Sequence, residues 1–108
     1  MHILKSRRSQ LEIYIDVLQV IKEGTTKPTR IMYGANLSWK LLQNVLTSMV
    51  DQGLIDEIDE SGSRDKRTTK VYHVTAKGDS VIRYFHQASN LIQVDDDDFN
   101  PLHITQVW

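Results

Sequence analysis

The feature that most constrains the fold of this chain is a change in its hydrophobic periodicity at Gly53. Before Gly53, apolar residues recur at helical spacing in three separate segments. After it, residues 54–60 and 69–75 are rich in β-branched and aromatic side chains, as strands are, and a polar loop at 61–68 separates them. Helical spacing then returns. The sequence therefore predicts three helices, a two-stranded hairpin and a final helix.

Local signals predict the limits of the first two helices. Ser9 and Glu12 have the spacing of a capping box, so the first helix is expected to begin there. Pro28 suits the first turn of the second helix. That helix is expected to end near Tyr33, because Gly34 can adopt a positive φ.

The limits of the later helices follow from similar signals. The third helix is expected over about 38–52, with Ser38 as its N-cap and Gly53 just beyond its end. Thr75 is expected to cap the fourth helix, which continues to about residue 93.

The first helix is apolar on two sides, so it is expected to be either central in its domain or buried against a second chain. One apolar stripe is expected in the core: Leu11, Tyr14, Ile15, Leu18 and Ile21. A second stripe is left over for a further contact: Ile13, Val17 and Val20.

The distribution of charge divides the chain into a basic body and an acidic tail. Thirteen Lys and Arg residues against fourteen Asp and Glu residues give a net charge of −1. Four of the acids form the run 95–98, and without them thirteen bases face ten acids, or +3. A basic body favours a polyanionic partner. We expect a basic arm at 1–8, a domain at 9–75, a C-terminal helix at 76–93 and an acidic, aromatic tail at 94–108.

The order of elements is that of a winged helix-turn-helix, an α+β fold, with a C-terminal helix appended. Residues 29–39 (TRIMYGANLSW), 53–55 (GLI) and 75–78 (TAKG) resemble the small archaeal winged-helix proteins, and the resemblance covers about residues 7–93. It implies double-stranded DNA as the partner and a homodimer, in several relatives through an antiparallel coiled coil of the last helices. The chain departs from the family at Trp39, where Tyr is common, and from residue 95 onward.

The third helix offers polar groups opposite its apolar stripe, as a helix that reads base edges in the major groove must. The sequence predicts that it binds DNA through Ser38, Trp39, Lys40, Gln43, Asn44 and Thr47, although Trp39 is expected to pack partly against neighbouring leucines. Phosphate contacts are expected from Lys27 and Arg30 in the second helix. Contacts with phosphates or the minor groove are expected from Arg64, Lys66 and Arg67 in the wing.

Surplus apolar surface predicts a two-fold dimer with the fourth helix at its centre, touching the first helix. The predicted interface residues are Ile13, Val17, Val81, Tyr84, Phe85, Ala88, Leu91 and Ile92. Two copies would place two reading helices about one DNA turn apart.

Several functional classes are not expected. The chain has no cysteine, which excludes disulfides, cysteine-ligated metals and thiol nucleophiles. Its four histidines share no ligand spacing, and no phosphate-binding loop or nucleophile–base pair is recognisable, so we expect no metal, cofactor or enzymatic activity. No small-molecule ligand is evident, and the sequence does not decide whether an effector exists. No apolar run is long enough to span a membrane, and a cytoplasmic, nucleoid-associated location is expected.

Two alternatives to a sequence-specific, dimeric transcription regulator remain open. The first is an architectural protein that coats DNA with low specificity, although few net bases argue against it. The second is a protein-interaction adaptor without DNA binding, which the acids of the first strand favour unless they pair with Lys70 and the wing bases. A further hypothesis is that the tail covers the wing bases and competes with phosphate.

Overall fold

The computed structural model describes residues 8–60 and 69–92, which form four helices and one antiparallel hairpin. The predicted α+β order is confirmed. The elements are α1 (Gln10–Lys22), α2 (Pro28–Ala35), α3 (Trp39–Asp51), β1 (Ile55–Asp59), β2 (Lys70–Val74) and α4 (Ala76–Ile92). The wing residues Arg64, Lys66 and Arg67, the arm before Arg8 and the tail lie outside the described residues.

The helix starts agree with the predicted caps. The Ser9 hydroxyl accepts the backbone N–H of Glu12 at 3.1 Å, and the Glu12 carboxylate accepts the N–H of Ser9 at 2.9 Å. The backbone N–H of Ser9 that donates to the Glu12 carboxylate lowers the pKa of Glu12 most strongly, and the Ser9 side chain lowers it further. Ser38 and Thr75 cap α3 and α4 in the same manner, with their hydroxyls accepting from Leu41 at 3.2 Å and Gly78 at 3.1 Å.

The predicted end of α2 is wrong. The helix continues to Ala35, and Asn36, with a φ of 56°, adopts the left-handed conformation expected of Gly34. Asn is one of the few residues that tolerate this conformation. Gly34 lies within the helix, where α1 packs closely against it: a Cβ there would lie 3.0 Å from the Val20 Cγ1.

The core forms around α1, which contacts α2, β2 and α4. The predicted division of α1 into a core stripe and a surplus stripe is wrong. Leu11 is 55% exposed, whereas Val17 is completely buried beside Leu18. The buried face of α1 draws on both stripes, because neighbouring elements cover this helix on several sides.

The hairpin is short and its register is fixed. Glu57 pairs with Tyr72 and Asp59 with Lys70 across the antiparallel strands. The backbone N–H of Tyr72 donates to the Thr26 carbonyl at 3.0 Å, so the α1–α2 connection lies along the other edge of β2. This contact brings the start of α2 close to Thr69 and Lys70, at the loop end of the hairpin.

Hydrogen bonds tie the start of α4 to the end of α3. Lys77 Nζ donates to the Gln52 carbonyl at 2.7 Å, and the Thr75 hydroxyl donates to the Gly53 carbonyl at 2.6 Å. Gly78 is needed at this junction, because a Cβ there would overlap the Leu54 carbonyl oxygen.

The α4 helix runs antiparallel to α1, and only its first half packs against the core. Lys22 pairs with Asp79, and Gln19 lies 3.3 Å from the His86 ring nitrogen further along α4. The hydrogen bond from Lys22 lowers the pKa of Asp79. From residue 86 to Ile92 the helix is exposed. Over 8–60 and 69–92, no helix is both long and apolar enough to cross a membrane.

Candidate nucleic-acid interface

The α3 helix buries one side and presents the opposite side to solvent. Its buried residues are Leu42, Val45, Leu46 and Met49. The opposite side, which we call the reading face, exposes Lys40, Asn44, Thr47 and Asp51. Three of the predicted DNA-binding residues therefore share one exposed surface. Asp51, at the far end of the same face, was not among the predicted residues.

Beside the reading face lies an open cleft of about 530 Å³ between α2, α3 and the loop end of the hairpin. We call it the wing cleft, and it is lined by Lys27, Pro28, Thr29, Arg30, Trp39, Gln43, Thr69 and Lys70. It brings together four predicted residues from two helices and adds Thr69 and Lys70, which the sequence did not predict as site residues.

Trp39 and Gln43 occupy the α3 side of the wing cleft, one helical turn apart. Trp39 is 49% exposed, which agrees with the partial packing expected of it. Among the described residues, its indole N–H has no hydrogen-bond acceptor. The cleft thus combines three cations with an aromatic side chain that retains a free donor.

Asn44 lies on the other edge of the reading face. It lines a second cleft, of about 390 Å³, between α1 and α3, together with Ile13, Tyr14 and Leu41. The hydroxyls of Tyr14 and Ser48 are hydrogen-bonded to each other there. Gln43 and Asn44 are therefore adjacent in sequence but point toward opposite edges of α3.

Arg8 belongs to the folded domain rather than to the predicted basic arm. Its guanidinium donates to the Asp16 carboxylate at 2.7 Å and to the carbonyls of Ala35 and Asn36, each at 2.8 Å. Arg8 therefore stabilises the end of α2, whose last carbonyls lack helical partners. Its charge is committed within the protein.

The first turns of α2 and α3 are positively charged. Lys27 is the N-cap of α2, Arg30 follows in the first turn, and Lys40 lies in the first turn of α3. Neither helix has an acid in that turn, whereas α1 has Glu12 and α4 has Asp79. Because the N-terminal end of a helix dipole is already positive, these cations raise the local potential at a cost in stability. Such a surface attracts phosphate.

A chain of polar contacts connects the wing cleft to the hairpin. Lys70 Nζ lies 3.4 Å from Glu57 Oε1, and the Tyr72 hydroxyl donates to Glu57 Oε2 at 2.7 Å. Burial of Tyr72, together with its bond to the Glu57 carboxylate, raises the pKa of the phenol. The predicted pairing of a β1 acid with Lys70 is confirmed.

The predicted interface residues fall into three groups. Tyr84, Ala88, Leu91 and Ile92 are exposed on α4, while Val81 and Phe85 are partly buried. Val17 was predicted wrongly, because a side chain wholly enclosed in the core cannot contact a second chain.

Ile13 is not continuous with the α4 residues. It lines the α1–α3 cleft, whereas Gln19 and Lys22, which contact α4, lie on another side of α1. Leu11 shares that α4 side by helical spacing and is exposed. Because the sequence pattern assigned Leu11 to the core, Leu11 was not among the predicted interface residues.

A family model described as winged helix-turn-helix matches residues 7–93. Two relatives from Methanocaldococcus jannaschii are similar to the chain. The uncharacterized protein MJ0287 is 35% identical over 66 residues, 61% of this chain and 68% of the relative. The uncharacterized protein MJ0290 is 29% identical over 89 residues, 82% of this chain and 37% of the relative. The chain thus spans little more than a third of the length of MJ0290.

Solved structures of DNA-binding proteins and transcription regulators share the fold. Sso10a-2, a DNA-binding protein from Sulfolobus solfataricus, has a TM-score of 0.63 at 23% identity, over 80% of this chain and 83% of that one. A PadR-like regulator from Bacillus cereus has a TM-score of 0.64 at 19% identity, over 86% and 90%. The C80S mutant of MarR from E. coli, in complex with operator DNA, has a TM-score of 0.59 at 22% identity, over 74% and 57%.

Proposed function

Because the chain belongs to the winged helix-turn-helix family, we propose that it is a dimeric, sequence-specific transcription regulator that binds double-stranded DNA. The observation that carries the proposal is the wing cleft, where Lys27, Arg30 and Lys70 surround the exposed edge of α3. The MarR mutant of similar fold is described in complex with operator DNA, and Sso10a-2 as a DNA-binding protein. We also propose that the protein has no catalytic role and that it is located at the nucleoid.

In this proposal α3 lies in the major groove, which is wide enough for one helix. Lys40 and Thr47 would face the floor of the groove from the middle of the reading face. Gln43 would contact bases on the side of the wing and Asn44 on the side of α1. Both amides can form paired hydrogen bonds with adenine, so the two residues would read different base pairs.

The phosphate backbone would pass through the wing cleft. Lys27, Arg30 and Lys70 would supply charge, and the indole N–H of Trp39 would donate to a phosphate oxygen. These contacts carry no sequence information, but they set the register of α3 on the duplex. The predicted contacts of Arg64, Lys66 and Arg67 with phosphates or the minor groove would extend this path beyond the described residues.

The dimer would form through an apolar stripe on α4. Tyr84, Ala88, Leu91 and Ile92 recur at spacings of three and four residues, and Leu91 is 84% exposed. A stripe of this period, on a helix whose other exposed residues from 83 to 90 are polar, fits a second helix of the same kind. Leu11 of α1 would extend the contact.

A second candidate function is a protein-interaction adaptor, which the acids of β1 favour. Asp56 on β1 and Glu60 just after the strand are exposed, and both would repel a phosphate backbone lying along the hairpin. The adaptor proposal predicts no affinity for duplex DNA even at low salt.

Selection from a random duplex pool, followed by titration at several salt concentrations, separates these functions. A regulator enriches one motif, an architectural protein binds all duplexes alike, and an adaptor binds none. Lys27→Ala in the wing cleft should weaken binding, whereas Lys22→Ala removes the same charge from α1, outside the cleft, and should leave binding intact. Equal effects of both variants would contradict the proposed role of the cleft.

A further inference from the structure

We propose that Glu57 is a positioning residue that limits the affinity of this protein for DNA by holding Lys70 away from phosphate. The inference rests on the proposed function, because it concerns the wing cleft of the same DNA-binding surface. Glu57 would compete with the phosphate backbone for one ammonium group, and the ammonium would have to exchange one anion for the other on binding.

Glu57 contacts Lys70, a residue of the wing cleft, but Glu57 lies outside the cleft. Lys70 lines the wing cleft, and its Nζ lies 3.4 Å from Glu57 Oε1. Both side chains are partly exposed, 46% for Lys70 and 38% for Glu57, so the ammonium can leave the carboxylate without breaking the core. Glu57 itself does not line the cleft.

Tyr72 holds the carboxylate in place. Its side chain is buried, and its hydroxyl donates to the second oxygen of Glu57 at 2.7 Å. Glu57 and Tyr72 are direct partners in the strand register, so the pair is set by the hairpin itself. A carboxylate fixed by one rigid donor turns its other oxygen toward Lys70. The free protein therefore presents a partly neutralised cation, Lys70, at the loop end of the hairpin.

The strength of the pair suits an exchangeable contact. Exposed ion pairs are weak, so phosphate can displace Glu57, but the displacement opposes binding by about a factor of two to five. That opposition acts on every sequence equally, because the phosphate contact carries no base information. Lower sequence-independent affinity leaves a larger share of the total binding free energy to the base contacts of Gln43 and Asn44, while the ratio of affinities between two sequences stays the same. The near-neutral charge of the chain is consistent with this design.

The test compares two substitutions that change net charge equally. Glu57→Gln should tighten binding to random duplexes and to the selected duplex alike, by about two- to fivefold at constant salt. Asp56→Asn is the matched control, because Asp56 is the next residue along β1 and pairs with His73 on the opposite face of the hairpin. Its effect should be clearly smaller, since Lys70 is unaffected.

The Lys70→Met background isolates the proposed pair. There Glu57→Gln should have no more effect than Asp56→Asn, because no ammonium remains to be released. Tyr72→Phe keeps the buried ring but removes the donor, so it should reproduce part of the gain while Lys70 is present. Equal gains from Glu57→Gln and Asp56→Asn, or a gain that persists in Lys70→Met, would overturn the inference.

A measurement without DNA distinguishes this failure from failure of the proposed function. Acetylation of the Lys70 amine in the free protein should become faster in Glu57→Gln and remain unchanged in Asp56→Asn. An unchanged acetylation rate in Glu57→Gln would overturn the pairing on its own. Failure of the wild-type chain to bind any duplex would refute the proposed function, and this inference with it.

Discussion

Replacing Lys40 by glutamate should make the protein more stable and, at the same time, a weaker DNA binder. Lys40 is the second residue of α3, it is exposed, and no acid occupies the first turn of that helix. The positive end of the α3 dipole therefore faces a positive side chain, which is unfavourable in the free protein. Residues that violate a local rule in this way are expected where function requires them.

The magnitude follows from the helix dipole. One unit of charge in the first turn of an exposed helix changes the free energy of unfolding by about 0.3–1 kcal/mol. Lys40→Gln removes one unfavourable charge, and Lys40→Glu also adds a favourable one, so the glutamate variant should gain about 0.6–2 kcal/mol. For a domain of this size, about 1 kcal/mol shifts Tm by about 4 °C, so its Tm should rise by about 2–8 °C.

Thermal unfolding by circular dichroism and duplex binding by fluorescence anisotropy together test this expectation. Binding by Lys40→Glu should fall by about tenfold or more, because an attractive contact with DNA becomes a repulsive one. Ala76→Glu, at the exposed first position of α4, changes net charge as Lys40→Gln does; it should gain stability and keep its binding. A glutamate variant of Lys40 that melted below wild type, or bound as tightly, would refute the reasoning.

Four further expectations follow from the site and the caps. Gln43→Ala and Asn44→Ala should each relax discrimination at a different base pair by about 1–3 kcal/mol, measured by sequencing selected pools; loss at the same base pair would contradict their placement on opposite edges of α3. Arg30→Ala should weaken binding to all duplexes alike and reduce the salt slope by about 1, and a sequence-dependent effect would count against a phosphate contact. Leu91→Asp should yield monomers in sedimentation with little change in Tm, because this side chain is 84% exposed; a persistent dimer would exclude the α4 stripe. The lowered pKa of Glu12 contributes stability to the fold. This contribution is complete above the ordinary pKa of 4.5 and is lost as pH falls through the pKa of the folded state. Glu12→Gln should therefore flatten the fall in Tm at acid pH, and an unchanged Tm–pH profile would contradict a role for this carboxylate.

Features set by neighbouring residues could be predicted from the sequence. Ser9, Ser38 and Thr75 cap helices through bonds to residues three positions away, so spacing alone identifies them. Gly34 could not be interpreted in this way. Its purpose is the close packing of α2 on Val20, which is a tertiary contact.

The candidate site was predictable in part for the same reason. Helical spacing placed Lys40, Asn44 and Thr47 on one exposed face. The wing cleft, by contrast, is assembled from residues 27–30, from Trp39 and Gln43, and from residues 69–70, and no local pattern links Lys70 to the other two segments. Its presence there depends on how β2 meets the start of α2, through a backbone bond to the α1–α2 connection.

Because Lys77 and Thr75 donate hydrogen bonds to carbonyls at the end of α3, we expect α3 and α4 to move as one unit. In the proposed dimer, the crossing angle of the two α4 helices therefore sets the distance between the two α3 helices. A substitution in the α4 stripe then changes which half-site spacing is accepted, while the bases read within each half-site stay the same. Spacing and base preference become separable traits, and a lineage of such regulators can move to new operators by changing either one alone.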